Sequence, residues 1–115
     1  MSHDLPRILD ALPDGVAVVD GDGRLVRLNA EACRILETST ETVAGRPIEQ
    51  VVGAGGFAKA VRAVLATGAS CVEHEVRVPR RFQGDLLVDA AVAPLADEAG
   101  HPGGAVVGLR DLTLG

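Results

Sequence analysis

The sequence predicts an α+β fold in one domain: a five-stranded antiparallel sheet with short helices cupped over one face, preceded by an N-terminal helix. Three observations predict it. Strand-like runs fall in two groups with helix-like segments gathered between them, and segregated runs of this kind build α+β layers, not alternating βαβ units. In the stretch Val72–Val78, Val72, His74, Val76 and Val78 alternate with Glu73, Glu75 and Arg77, the period of two of a strand with one wet face. The chain has 115 residues, 47% hydrophobic and 23% charged, which suits one modest core and argues against disorder. The expected boundaries are 1–115 for the single domain, 1–13 for the leading helix and 15–113 for the core.

The elements follow in order. Asp4 and Pro6 are a capping carboxylate and a first-turn proline, and Leu5, Ile8, Leu9 and Leu12 then share one helical face. Pro13-Asp14-Gly15 ends that helix. Gly15–Asp20 is a β-branched run, Asp20-Gly-Asp-Gly23 a turn, and Arg24–Asn29 the returning strand of a hairpin. Asn29 can cap a helix running from Ala30 to Glu37. Thr38–Ala44 is a polar capped turn or short helix closed by Gly45, and Pro47 opens another short turn through Val52. Gly53-Ala-Gly-Gly56 breaks the chain. Phe57–Thr67 is the firmest helix, with Phe57, Val61, Val64 and Leu65 on one face and Gly68 as its stop. The remainder is β. Strict alternation puts Val72, His74, Val76 and Val78 on one face; Leu86–Leu95 is a longer strand, 96–104 a glycine-rich loop, and Ala105–Leu112 the last strand.

Composition excludes several function classes. The formal net charge is −5, so the chain lacks the basic surface that displaces phosphate counterions, and no nucleic acid is expected as a partner. Arg80–Arg81 reads as a charged turn. Cys33 and Cys71 sit in no metal-ligand spacing and fit a reduced, cytoplasmic chain better than a disulfide scaffold. No apolar run reaches membrane-span length and the first residues do not read as a signal peptide, so no membrane contact is expected.

The element order resembles the PAS family, and local features agree with it. Val18-Val-Asp20 followed by Gly23-Arg-Leu-Val-Arg-Leu-Asn29 is similar to the family's opening hairpin and capping asparagine. Glu31-Ala-Cys-Arg-Ile-Leu36 resembles its first helix, Gly45-Arg46-Pro47 its glycine-led turn, and Arg110-Asp111-Leu112-Thr113 its closing Asp-x-Thr signature. The resemblance covers about Leu5 to Thr113. It implies a sensory or dimer-based signalling role, and is strongest to input domains of bacterial sensor histidine kinases of the nitrogen-regulation type. It further implies an output module fed through the segment after Asp-x-Thr, and a relay role for Asp111 and Thr113. A ligand-free interaction module of a transcription regulator or other signalling protein is the alternative.

Candidate sites follow from the same residues. A small-molecule ligand in the cup would meet Phe57, Val61, Leu65 and His74. The face of Leu5, Ile8, Leu9 and Leu12 would pair with a second copy in a homodimer. Leu86, Val88 and Val92 on one face of their strand and Leu87, Ala91 and Leu95 on the other also leave an apolar outer surface to cover.

No cofactor is expected. Cys33 is out of register with the reactive cysteine of LOV photoreceptors, whose place falls at Ile48, and reads as a small packed side chain. Phe57–Thr67 has no histidine to offer a haem. With only two aromatic residues, both Phe, a stacked flavin has few partners. His3, His74 and His101 form no metal set. Gly53-Ala-Gly-Gly-Phe-Ala58 has the spacing of a dinucleotide fingerprint without its parallel strand, and Asp20-Gly-Asp-Gly23 lacks the later ligands of a calcium loop. No nucleophile elbow or acid/base pair is present, so no enzyme is expected.

Overall fold

The computed structural model describes residues 14–96, Ala99 and 102–114. The expected leading helix, 1–13, with Leu5, Ile8, Leu9 and Leu12, lies outside the described residues.

Asn29 sets the first corner. β1 (Gly15–Asp20) and β2 (Leu25–Leu28) form the expected antiparallel hairpin. The Asp20 carboxylate closes its turn, Oδ1 accepting from the amides of Asp22 at 2.9 Å and Arg24 at 3.0 Å. Helix α1 (Ala30–Leu36) then starts on Asn29, whose Oδ1 accepts from Ala32 N at 2.9 Å and from Val16 N at 2.8 Å. Its Nδ2 donates to the Asp14 carbonyl at 2.9 Å. The side chain therefore caps the helix and ties it to the start of β1. At 1% exposure it has little water to turn to, which is why these bonds matter.

Two short helices follow, α2 (Thr40–Val43) and α3 (Ile48–Val52), and then the expected long one, α4 (Gly56–Thr67). Ser39 caps α2, and the Thr40 hydroxyl both accepts from Leu28 N at 3.0 Å and donates to Leu28 O at 3.1 Å, fixing α2 to β2. Gly68, in the left-handed region, ends α4, its amide bonded to Val64 O at 2.8 Å. Arg62 of α4 forms a fork on the Glu49 carboxylate, at 2.6 and 2.8 Å, and also donates to Asp22 O at 2.9 Å. Gly23, at φ 80°, leaves room for it: a Cβ there would run into the Arg62 guanidinium.

β3 (Cys71–Val78), β4 (Leu86–Ala96) and β5 (Pro102–Asp111) complete the sheet, in the order β2-β1-β5-β4-β3 with every neighbouring pair antiparallel. Leu86, Val88, Ala90 and Val92 are buried on the helix side of β4, while Leu87, Ala91 and Leu95 are exposed on the other. α4 packs across β3, β4 and β5, and α1 across β1 and β2. One face of the sheet is therefore covered, as the α+β reading expects.

The expected face of β3 needs correction. Alternation places Val72 and His74 with Val76 and Val78, yet Val76 and Val78 are buried while Val72 and His74 are exposed on the outer face. The cause is a bulge. Glu73 pairs with Ala90 and Val76 with Val88, so His74 and Glu75 together oppose Asp89. Glu75 takes φ 54°, and its amide donates to Asp89 Oδ1 at 3.1 Å. One extra residue exchanges the faces on either side of it.

Candidate functional site

The expected cup residues divide. Phe57 is 2% exposed and Val61 0%, and both belong to a continuous core with Val88, Val92 and Val107 of the sheet. Leu65 is half-buried against the edge of that core. Side chains thus occupy the space between α4 and the sheet. Each fully buried Phe or Val there stabilises the fold by about 1.5–3 kcal/mol. His74 is not with them: it stands on the opposite face, three-quarters exposed, with Nδ1 3.4 Å from Asp89 Oδ1. The bulge in β3 is the physical reason.

Polar chemistry concentrates instead where the last strand ends. β5 finishes at Asp111, and the chain turns through a single 3₁₀ turn, Leu112–Leu114. The Asp111 side chain is only 3% exposed, yet carries a full set of donors. Its Oδ1 accepts from the Thr113 amide at 2.8 Å and the Thr113 hydroxyl at 2.6 Å. Its Oδ2 accepts from Arg34 Nη2 at 2.8 Å. The same guanidinium donates through Nε and Nη2 to both oxygens of Glu31, at 2.8 and 2.7 Å. One carboxylate thereby joins the last turn of α1, the end of β5 and the turn that follows it.

The electrostatics agree with the geometry. Burial pushes the Asp111 carboxyl up, but the Thr113 hydroxyl and amide and the Arg34 guanidinium outweigh it, and the net direction is down. The bond to Arg34 holds Glu31 below its ordinary value, and the two carboxylates hold Arg34 above its own. Both acids are therefore ionised at neutral pH, and their bonds to Arg34 are charge-assisted.

Asp111 and Thr113, paired by the sequence reading, are thus in direct contact. Arg34 was not foreseen, because 77 positions separate it from Asp111 and only the fold joins them. The one local hint is Glu31 three residues before it, an ordinary helix-face pair. Cys33 is partly buried against the core and Ile48 wholly buried within it. Among the described residues no group of three or more His, Cys, Asp or Glu is placed to hold a metal ion, and no helix is long and apolar enough to cross a membrane.

Comparison with known proteins places this architecture. Residues 9–114 match the family model described as the PAS fold. Among solved structures, a PAS domain from Colwellia psychrerythraea superposes with a TM-score of 0.79 at 17% identity, covering 99% of this chain and 98% of that one. The PAS domain of nitrogen regulation protein NR(II) from Vibrio parahaemolyticus gives 0.74 at 16%, covering 94% and 97%. The VqmA dimer from Vibrio cholerae, described in connection with DNA binding by LuxR-type receptors, gives 0.76 at 19%; the match covers 97% of this chain and 52% of VqmA. At these identities the structural likenesses speak for the fold, and the family match speaks for kinship: the chain belongs to the PAS family of sensory and signalling domains.

Proposed function

We propose that this domain is a sensory input module that passes its signal through the Asp111 junction. The observation that carries this reading is the buried carboxylate bonded at once to α1, through Arg34, and to the exit turn, through Thr113. A shift of α1 changes where Arg34 stands, and the carboxylate it holds sets the angle at which the chain leaves β5. The likeness to the NR(II) domain supports a two-component sensor kinase as the setting, and the likeness to VqmA supports a transcription regulator as the alternative.

The test is a graft of residues 1–115 in place of the input domain of a sensor histidine kinase, with autophosphorylation as the readout. Arg34→Ala and Asp111→Asn should both shift the basal kinase level in the same direction, because each opens the same junction. Lys59→Ala, an exposed change on α4, should leave it unchanged. Relay variants indistinguishable from the unmodified graft would overturn the reading.

A second reading concerns assembly. The outer face of the sheet exposes Val72 (56%), Leu87 (41%) and Leu95 (39%), an apolar surface that supports homodimerisation. Light scattering on Val72→Asp should give a monomer where the unmodified chain gives a dimer. A dimer that survives the charge would remove that face as the seam.

A further inference from the structure

A second polar feature lies outside both the packed cup and the Asp111 junction. The connection between β3 and β4, residues 79–85, folds back beside the ends of α1, α2 and α3, and together they enclose a cleft of ≈ 350 Å³. That is the lower end of the size range of small-molecule sites. Three arginines line it: Arg46, Arg80 and Arg81.

None of the three is neutralised. The guanidiniums of Arg46 and Arg81 bond to no partner among the described residues. Arg80 donates from Nε to Gly84 O at 2.8 Å and from Nη2 to Gln83 O at 3.4 Å, both neutral carbonyls of its own loop. Its Nη1 is shut away from water with no acceptor at all. A cationic donor covered without an acceptor is costly, and it leaves the charge of Arg80 uncompensated beside the cleft. In a chain of net charge −5, three unmatched cations around one hollow are a local reversal of sign.

The rest of the lining narrows the partner. Leu36, Val43, Val51 and Phe82 give the cleft an apolar side. Phe82 is 82% exposed on its loop, an aromatic ring with nothing packed over it. The one carboxylate in the lining, Glu37, is already engaged: its two oxygens accept from the amides of Phe82 at 3.1 Å and Gln83 at 3.0 Å, pinning the loop tip to the end of α1. Its charge still disfavours a dianion more than a monoanion, and the apolar side has no use for a purely polar anion.

We propose that this cleft binds a small amphiphilic carboxylate, its head group held by Arg46, Arg80 and Arg81 and its apolar body laid against Leu36, Val51 and Phe82. Arginine suits this role because its planar fork matches a carboxylate. The site stands independently of the relay at Asp111.

The test is titration of the ¹⁵N-labelled chain, in a buffer free of carboxylates, with phenylacetate and with hexanoate. The comparison ligands are neutral phenylacetamide and inorganic phosphate. At least one of the two carboxylates should saturably shift the amides of residues 80–83 and of Arg46. Phenylacetamide and phosphate should each bind about tenfold or more weakly than the better carboxylate. Arg46→Gln and Arg81→Gln remove side chains that bond to nothing, so the unliganded spectrum should stay in place while binding weakens several-fold. No saturable shift with either carboxylate, equal binding of phenylacetamide, or full affinity in both variants would overturn the site. Phosphate binding as tightly as the carboxylates would overturn the amphiphile.

Discussion

The space under α4 and the end of β5 both lie against the same sheet, yet they are built from different materials. Under α4, Phe57, Val61 and Val64 meet Val88, Val92 and Val107 with almost no exposure. Such packing is additive over many contacts and indifferent to pH. At the end of β5 a single buried carboxylate gathers three donor atoms from two other segments, α1 and the turn that follows the strand. Its strength rests on a few directional bonds, each of which fails if one partner moves or protonates. The first arrangement suits a rigid body; in the proposed relay the second is the joint. A domain that transmits a signal needs both, and the structure keeps them apart.

Substitutions sharpen that contrast. The largest effect should come from Phe57→Ala, which opens a cavity in the packed space and should lower stability by about 3–5 kcal/mol in denaturant unfolding. A loss near zero would show that the space under α4 collapses freely and is no rigid body.

Asp111→Asn should cost less, about 1–3 kcal/mol at neutral pH, since it keeps the shape and removes the charge that Arg34 and Thr113 meet. Its pH dependence is the sharper signature. A carboxyl whose folded-state value is depressed stabilises the fold above its unfolded value and loses that contribution as pH falls through the folded one. Asp111 and Glu31 are depressed below ordinary values of 3.8 and 4.5, and the Arg62 fork draws Glu49 down to about 2. Stability should therefore fall as pH drops from about 5 to 2. The gap between Asp111→Asn and the unmodified chain should close over that range, while Phe57→Ala keeps a constant deficit. A gap at Asp111 that stays constant with pH would mean that its charge is not what the junction uses.

Smallest of all, Val72→Asp on the outer face should change the stability of the monomer by about 0.5 kcal/mol or less, since Val72 is 56% exposed. A large loss would mean that the outer face is as much a core as the inner one.

What the sequence made legible follows the range of the interactions. The hairpin, the Asn29 cap and the stop at Gly68 rest on residues within a few positions of one another, and each falls where it is expected. Asp111 with Thr113 is equally local. The last strand starts at Pro102, three residues before its expected Ala105, because Gly104 and Pro102 pair with Leu95 and Ala96 despite their loop-like character. The face of His74 was hidden for another reason: a bulge leaves the alternation of residue types intact while reversing what it means, and Glu75 carries no mark of its left-handed backbone. Arg34 meets Asp111, and Glu37 meets residues 82 and 83, only through the fold. No periodicity within α1 reports either contact.

The junction itself is tested most directly by ¹⁵N relaxation of residues 112–114 in the unmodified chain and in Arg34→Ala. If Arg34 holds Asp111 and Asp111 holds the exit turn, the order parameter of Thr113 should fall from about 0.85 to below about 0.6, while Val107 in the middle of β5 stays rigid. A Thr113 that remains as ordered without Arg34 as with it would contradict the coupling of α1 to the chain's exit.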